Sequence, residues 1–299
     1  MPGSQRKHGL DTHHSGGTGI GTGIAFSVRQ MRPQPDLSII VPAFNEQGRL
    51  EPTLRSYLGY CRSRGRSVEV IVVDDGSMDE TSLLVEQLVG EFPELRLIRL
   101  AENRGKGYAV RSGVVNARGR RVLFADADGA TPISEIERVE AALEAGADIA
   151  IGSRALSAHD VTLNAKLYRR LMGRLFHGLV HALTVRGVRD TQCGFKLFRG
   201  PVARDLFSRM RMSGFSFDVE VLMMAHRRGY RIAEVPVNWT HQPGSKVNLV
   251  LDSMRMVRDL FIIRSRYLRG EYGVPHLGPW MSTDHEPAPG GASPSQRTT

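Results

Sequence analysis

From Leu37 onward the apolar residues of this chain fall into short runs of strand length, at Leu37–Val41, Val68–Val73, Leu95–Leu100, Val122–Ala125 and Ile149–Ile151. Stretches of helical periodicity separate them, near 50–63, 79–90, 106–117 and 133–145. No other feature constrains the fold as much, because strand alternating with helix builds parallel strand–helix–strand units that join into one doubly wound α/β sheet. Such sheets bind ligands beyond the carboxyl ends of their strands. Those ends are unusual here. The first closes in "VPAFNE" (41–46), the second in "VVDDGS" (72–77) and the fourth in "FADADG" (124–129).

Asp126 and Asp128 raise the sharpest question. Two residues apart on a strand, they share one face, and like charges so placed raise each other's pKa unless something positive lies between them. A divalent ion, Mg2+ or Mn2+, held by one or two carboxylates completes its shell with water and substrate phosphates, so the pair points to a diphosphate-bearing substrate. An aspartate after a strand equally serves to cap the next helix or to close an Asx-turn. Asp75 could accept a hydrogen bond from a base N–H or a ribose hydroxyl, while Ser77 or Asp79 is expected to cap the following helix. Pro42 is expected to end its strand, Phe44 to pack on a base, and Glu46 to be a ligand contact or a plain loop residue. Gly105-Lys106-Gly107 lacks the spacing of a phosphate loop and reads as a helix start in which Arg104 and Lys106 face the donor or the surface.

With 299 residues, 41% of them hydrophobic, the chain can bury one large core or two modest ones. No run approaches the roughly 18 uncharged apolar residues of a spanning helix, and the N-terminus lacks the apolar centre of a signal peptide, so a cytosolic protein is expected. Cys61 and Cys193 stand too far apart for a disulfide framework and read as reduced thiols. Residues 1–35 and 271–299 are expected to be disordered tails flanking one domain over 36–270. The glycines at 19–23 follow no strand and bind no cofactor on this reading.

Charge is divided unevenly. Residues 36–150 hold 14 Lys/Arg against 19 Asp/Glu, whereas residues 151–270 hold 21 against 8. The basic half favours anionic partners: phosphates, nucleic acid or an anionic membrane surface. It carries no recognisable nucleic-acid-binding motif, so no nucleic-acid partner is expected. Residues 162–185, with Lys166, Arg169, Arg170 and Arg174, and residues 249–268, with Arg255, Arg258, Arg264 and Arg266, have the pattern of basic amphipathic helices. They either pack on the sheet or lie at a membrane interface.

Taken together, "SIIVPAFNE" (38–46), "VIVVDDGSMDET" (70–81), "NRGKGYAVRSGV" (103–114) and "LFADADGAT" (123–131) resemble the successive motifs of family 2 glycosyltransferases of GT-A fold. The later stretches "AIGSR" (150–154), "VRDTQCGFKLF" (188–198), "FSFDVEVL" (215–222) and "EVPVNWTHQPGSKV" (234–247) resemble the dolichyl-phosphate β-glucosyltransferase branch. The resemblance covers about 37–270. It implies a nucleotide-sugar-binding half over 36–154 and an acceptor half, facing the membrane, over 155–270. It further implies an inverting, metal-dependent hexosyl transfer, glucose from UDP-glucose being favoured, to a polyprenyl or dolichyl phosphate at the cytoplasmic face of the membrane.

By the same resemblance Pro42, Phe44, Glu46, Val73 and Asp75 surround the nucleoside, and Asp126, Ala127 and Asp128 meet the diphosphate, the two acids holding the metal. Asp128, Arg154 and Lys246 form the catalytic set, and Asp190 and Gln192 meet the acceptor. A lipid phosphate is already anionic, so it needs less help from a general base than a sugar hydroxyl does. Two departures stand out. No N-terminal membrane anchor of the kind eukaryotic members carry is visible, and Thr240 stands where mannosyl relatives have an arginine. GDP-mannose as donor and a soluble acceptor are the alternatives.

Overall fold

The computed structural model describes residues 33–156, 163–164, 188–242 and 249–273. Along the chain run β1 (Leu37–Ala43), α1 (Leu50–Ser63), β2 (Val68–Asp74), α2 (Thr81–Glu91), β3 (Leu95–Arg99), α3 (Lys106–Val115) and β4 (Arg121–Ala125). A 3-10 turn (Ile133–Glu135) leads into α4 (Ile136–Glu144) and β5 (Ile149–Ser153). Then come β6 (Leu163–Asn164), β7 (Phe195–Arg199), α5 (Gly200–Arg209), α6 (Phe217–Arg227), β8 (Ile232–Pro236), β9 (Trp239–Thr240) and α7 (Leu249–Leu268).

Seven strands form the main sheet in the order β3-β2-β1-β4-β7-β5-β8. The first five strands lie where the apolar runs place them. Alternate residues of each supply a core on either face: Ile39, Val41, Val70, Val72 and Leu123 pack with Leu54, Leu58 and Val139, whereas Ile40, Ile71, Val73 and Phe124 pack with Val110, Leu206 and Leu222. This two-sided burial is what makes the runs apolar throughout.

The sequence reading gives no strand after Ile151, and β7 is the consequential addition. It runs antiparallel to both β4 and β5, while β1, β2, β3 and β4 pair in parallel, as do β5 and β8. Because it is reversed, β7 brings its amino end, preceded by Gly194, to the sheet edge where β4 and β5 end. Its alternation hides the signal, since Lys196 in mid-strand is buried.

Register aligns the three motif-bearing ends. Ala43 is opposite Asp74 and Ile40 opposite Phe124, so β2, β1 and β4 finish side by side. Pro42 lies inside β1, which continues to Ala43; its missing N–H does not end the strand. The expected helix over 249–268 is α7. Of 162–185, only 163–164 are described, as the strand β6 paired with β9; the rest of that expected helix and most of both expected tails lie outside the described residues. Tyr272 is buried and donates to Glu220 at 2.7 Å. Cys61 and Cys193 are free and buried. No described helix is long and apolar enough to cross a membrane.

Candidate active site

The loops after β1 and β2 are stitched into one lip. Asn45 N–H donates to Ser77 Oγ and Glu46 N–H to Thr81 Oγ1, both at 2.8 Å. Met78 N–H and Glu80 N–H return bonds of 2.8 Å to the side-chain oxygens of Asn45 and Gln47. Asn45 takes a left-handed backbone, φ 53°. Ser77 therefore serves the neighbouring loop instead of capping α2, whose N-cap position is Glu80 without a side-chain bond. Asp79 accepts from Thr81 N–H at 3.0 Å. Pro42 is buried and Phe44 half-buried behind the lip. Glu46 pairs with Arg49 at 2.6 Å. Val73 is fully buried in the core, so its side chain faces helix α3's layer.

Asp75 is buried, and each of its carboxylate oxygens accepts a backbone N–H at 2.8 Å, one from Arg104 and one from Gly105. Burial pushes its pKa up despite those two bonds. It thereby ties a third loop, entering α3, to the lip. Gly105 needs its freedom there: φ is +97°, and a Cβ would run into Ser213 O. Arg104 lies over Tyr108, 4.1 Å from the ring centroid, on the surface.

The paired acids lie just past β4, in the turn, and not on the strand itself. Asp126 N–H donates to Gly194 O at 3.0 Å, and a Cβ at Gly194 would collide with the Asp126 carboxylate. Lys106, opening α3, places Nζ 2.7 Å from Asp126 Oδ1. That oxygen is buried, so the ammonium is its charge partner within the protein. Burial works against the Lys106 charge, but Asp126, Asp218 and Asp128 outweigh it and hold its pKa high. Asp128 Oδ1 accepts from Ala130 N–H at 3.0 Å, the Asx-type bond that the local reading anticipated. Burial, then Asp126, raise the Asp128 pKa. A cleft of about 370 Å3 opens at Asp128, between Arg49, Thr53 and Tyr57 on one side and Thr131 and Gln242 on the other.

Beneath them is a buried ion pair that sequence reasoning missed. Lys196 Nζ donates to Asp218 Oδ1 and to Cys193 O, each at 2.6 Å. The Lys106 and Lys196 ammonium groups lie 5.4 and 5.6 Å from the Phe124 ring centroid. The available signal was a lysine alternating with Phe195, Leu197 and Phe198. Lys106 was read as facing the donor or the surface, and its contact with Asp126 was not anticipated.

Arg154, one residue beyond β5, grips Asp190 with two bonds, Nε to Oδ2 at 2.7 Å and NH2 to Oδ1 at 2.8 Å, while its own N–H donates to Oδ2 at 2.9 Å. Burial opposes ionisation of Asp190, yet Arg154 wins and lowers its pKa. Glu234 fixes the same turn, accepting from Ser153 Oγ at 2.6 Å and Asp190 N–H at 2.8 Å. Asp190, expected at the acceptor, thus holds Arg154 in place. Gln192 Nε2 donates to Phe215 O at 3.3 Å. Lys246 lies outside the described residues.

Among the described residues no group of three or more metal-binding side chains converges. Asp126 and Asp128 offer hard carboxylate oxygens from one turn, and Asp128 lines the cleft. That set fits a divalent ion that takes its remaining ligands from phosphates and water. Flanked by Lys106 and Arg154, the acidic turn is suited to a cation–diphosphate pair and would repel a bare anion.

The model of glycosyl transferase family 2 matches residues 38–207. The chain is 41% identical over 265 residues to the dolichyl-phosphate beta-glucosyltransferase of Drosophila melanogaster, covering 84% of this chain and 81% of that protein. It is 40% identical over 253 residues to the Homo sapiens protein of that name, covering 80% and 78%. Among solved structures, glucosyl-3-phosphoglycerate synthase from Mycobacterium tuberculosis, in complex with Mn2+, UDP-glucose and phosphoglyceric acid, is similar with a TM-score of 0.55 at 20% identity, over 82% of each chain. Mannosyl-3-phosphoglycerate synthase from Rubrobacter xylanophilus is similar with a TM-score of 0.56 at 18% identity, over 82% of this chain and 77% of that one. The shared architecture is the GT-A fold.

Proposed function

The chain belongs to glycosyl transferase family 2 and is a glycosyltransferase, and we propose that it transfers glucose from UDP-glucose to a dolichyl or other polyprenyl phosphate, with inversion to a β-linked product. The observation that carries this reading is the identity of about two residues in five, over four-fifths of the chain, with proteins named dolichyl-phosphate beta-glucosyltransferase.

The lip formed by the Pro42–Glu46 and Asp75–Thr81 loops takes the nucleoside, and Ala127 lies between the two acids that face the diphosphate. A divalent ion held by Asp126 and Asp128 would supply Lewis-acid neutralisation of the departing diphosphate. Lys106 and Arg154, joined by Lys246, add positive charge where negative charge develops. One oxygen of the acceptor phosphate forms the new bond to the anomeric carbon as the bond to the diphosphate oxygen breaks, and the diphosphate leaves with that electron pair. No proton need be removed from the acceptor, already anionic at neutral pH. Asp190 keeps the Arg154 guanidinium aimed, and Gln192 lies beside it on the acceptor side.

We place the enzyme peripherally at the cytoplasmic face of the membrane. Support comes from α7, where Phe261 and Leu268 are 56% and 59% exposed beside Arg258, Arg264 and Arg269, a combination suited to an anionic interface.

The test incubates purified protein with dolichyl phosphate and a panel of radiolabelled nucleotide sugars. Label from UDP-glucose entering the organic phase supports the proposal. Transfer only from GDP-mannose, or only to water-soluble acceptors, overturns it.

A further inference from the structure

Phe215 stands at the rim of the site with 36% of its surface exposed, amid charged and polar neighbours. Its ring centroid lies 5.8 Å from Lys106 Nζ, the ammonium that contacts Asp126. Its carbonyl accepts from Gln192 Nε2 at 3.3 Å. Gln192 N–H in turn donates to Asp190 Oδ1 at 3.3 Å, and Asp190 holds Arg154. Phe215 thus meets Lys106 through its ring and is linked to Arg154 through Gln192 and Asp190.

The segment carrying it is pinned. Tyr108 N–H donates to Ser213 O at 3.2 Å and Phe217 N–H to Gly214 O at 3.3 Å. Ser216 Oγ donates to Asp259 Oδ2 of α7 at 2.9 Å, and Ser216 and Phe217 are both buried. The ring is held outward by neighbours that are themselves fixed. Single exposed apolar residues are ordinary on a protein surface, but this one is fixed beside the groups assigned to phosphates.

We infer that Phe215 is the contact for the first isoprene units of the acceptor and sets the preference for a lipid phosphate over a soluble one. The inference rests on the transfer proposed above. A polyprenyl phosphate whose head lies at Arg154 must lead its methyl-branched carbons out of a polar cleft. An apolar ring at the rim removes those carbons from water, a gain that grows with the area covered and needs no specific geometry. Phe215 has no part in the leaving-group chemistry, so its effect belongs to acceptor binding.

Steady-state transfer from UDP-glucose to a long-chain polyprenyl phosphate in detergent micelles, measured for wild type, Phe215→Ala and Phe215→Leu, tests this. Loss of the ring should raise the acceptor KM about tenfold and leave the KM for UDP-glucose unchanged. Leucine, apolar but without a π-face, should recover most of the loss. An unchanged acceptor KM in Phe215→Ala overturns the inference. A raised donor KM in both variants also overturns it, because the ring would then be serving Lys106 through its π-face. Wild type that labels no polyprenyl phosphate brings down the underlying function, and the inference with it; wild-type turnover with unaltered variants brings down the inference alone. A matching thermal melt and UDP affinity show that each variant is folded.

Discussion

Asp128 carries a charge that the protein makes costly. Burial and the neighbouring Asp126 both favour its neutral form, a cost that a bound cation would offset. Asp128→Asn keeps an oxygen for Ala130 N–H and removes the repulsion, so the variant should melt no lower than wild type. Its turnover should fall by about two to three orders of magnitude, the usual loss when a transition-state charge partner is removed; a melt followed by a transfer assay checks both, and full activity contradicts the role. The raised pKa has its own consequence. As pH falls, Asp128 protonates before an ordinary aspartate would, so divalent-ion-dependent UDP binding should weaken above pH 3.8; calorimetry across acid pH would contradict this if the limb fell at or below that value. Gly194→Ala should also inactivate the enzyme, since its methyl would displace the Asp126 carboxylate. The acids were legible in the sequence because strand ends advertise them. The Arg154–Asp190 and Lys196–Asp218 pairs were not, because their partners are 36 and 22 residues apart and no local pattern links them.

At the scale of elements, the opposite end of the sheet is locked by Glu69, the second residue of β2. It accepts from Ser38 Oγ and Arg118 N–H, both at 2.6 Å, and from Arg96 at 3.0 Å, while Gly119 N–H reaches Ser38 Oγ at 2.8 Å. One buried acid thus joins β1, β2, β3 and the turn before β4. Burial alone would raise its pKa, but the bonds from Ser38, Arg118 and Arg96 prevail and lower it. A depressed folded pKa means stabilisation that is complete above the ordinary value of 4.5 and fades as pH falls through the folded one. Glu69→Gln should cost about 1–3 kcal/mol at neutral pH, a gap that narrows in acid; urea unfolding at the two pH values measures it, and a gap that widened in acid would contradict the account. β1, β2, β4 and β5 could be read as apolar runs because both their faces are buried. β7 could not, because a strand that buries a lysine breaks the apolar run by which the others announce themselves.

Across the whole molecule, the acidic amino-terminal half carries the lip and the paired acids, and the basic half carries Arg154 and α7. We expect association with anionic vesicles, mediated by the exposed face of α7, that weakens as salt rises. Replacing Arg258 and Arg264 with alanine should cost about 1 kcal/mol each, measured by vesicle sedimentation; equal, salt-insensitive binding to neutral vesicles would contradict the assignment. The mostly parallel α/β sheet and the meeting of three motifs at one sheet edge were legible from strand–helix alternation and from what ends each strand, whereas the GT-A fold was implied only by the resemblance of the motifs to family 2 glycosyltransferases. Which acids would hold cations of the chain itself, and which stay open to a ligand, became visible only with the loops folded together. The claim on which the rest depends is that Asp126 and Asp128 bind UDP through a divalent ion. Calorimetric titration of UDP with Mg2+ and with chelator, in wild type and Asp126→Asn, tests it most directly. Tight binding that requires the ion in wild type and is lost in the variant is the expected result, whereas equal affinity in chelator would contradict it.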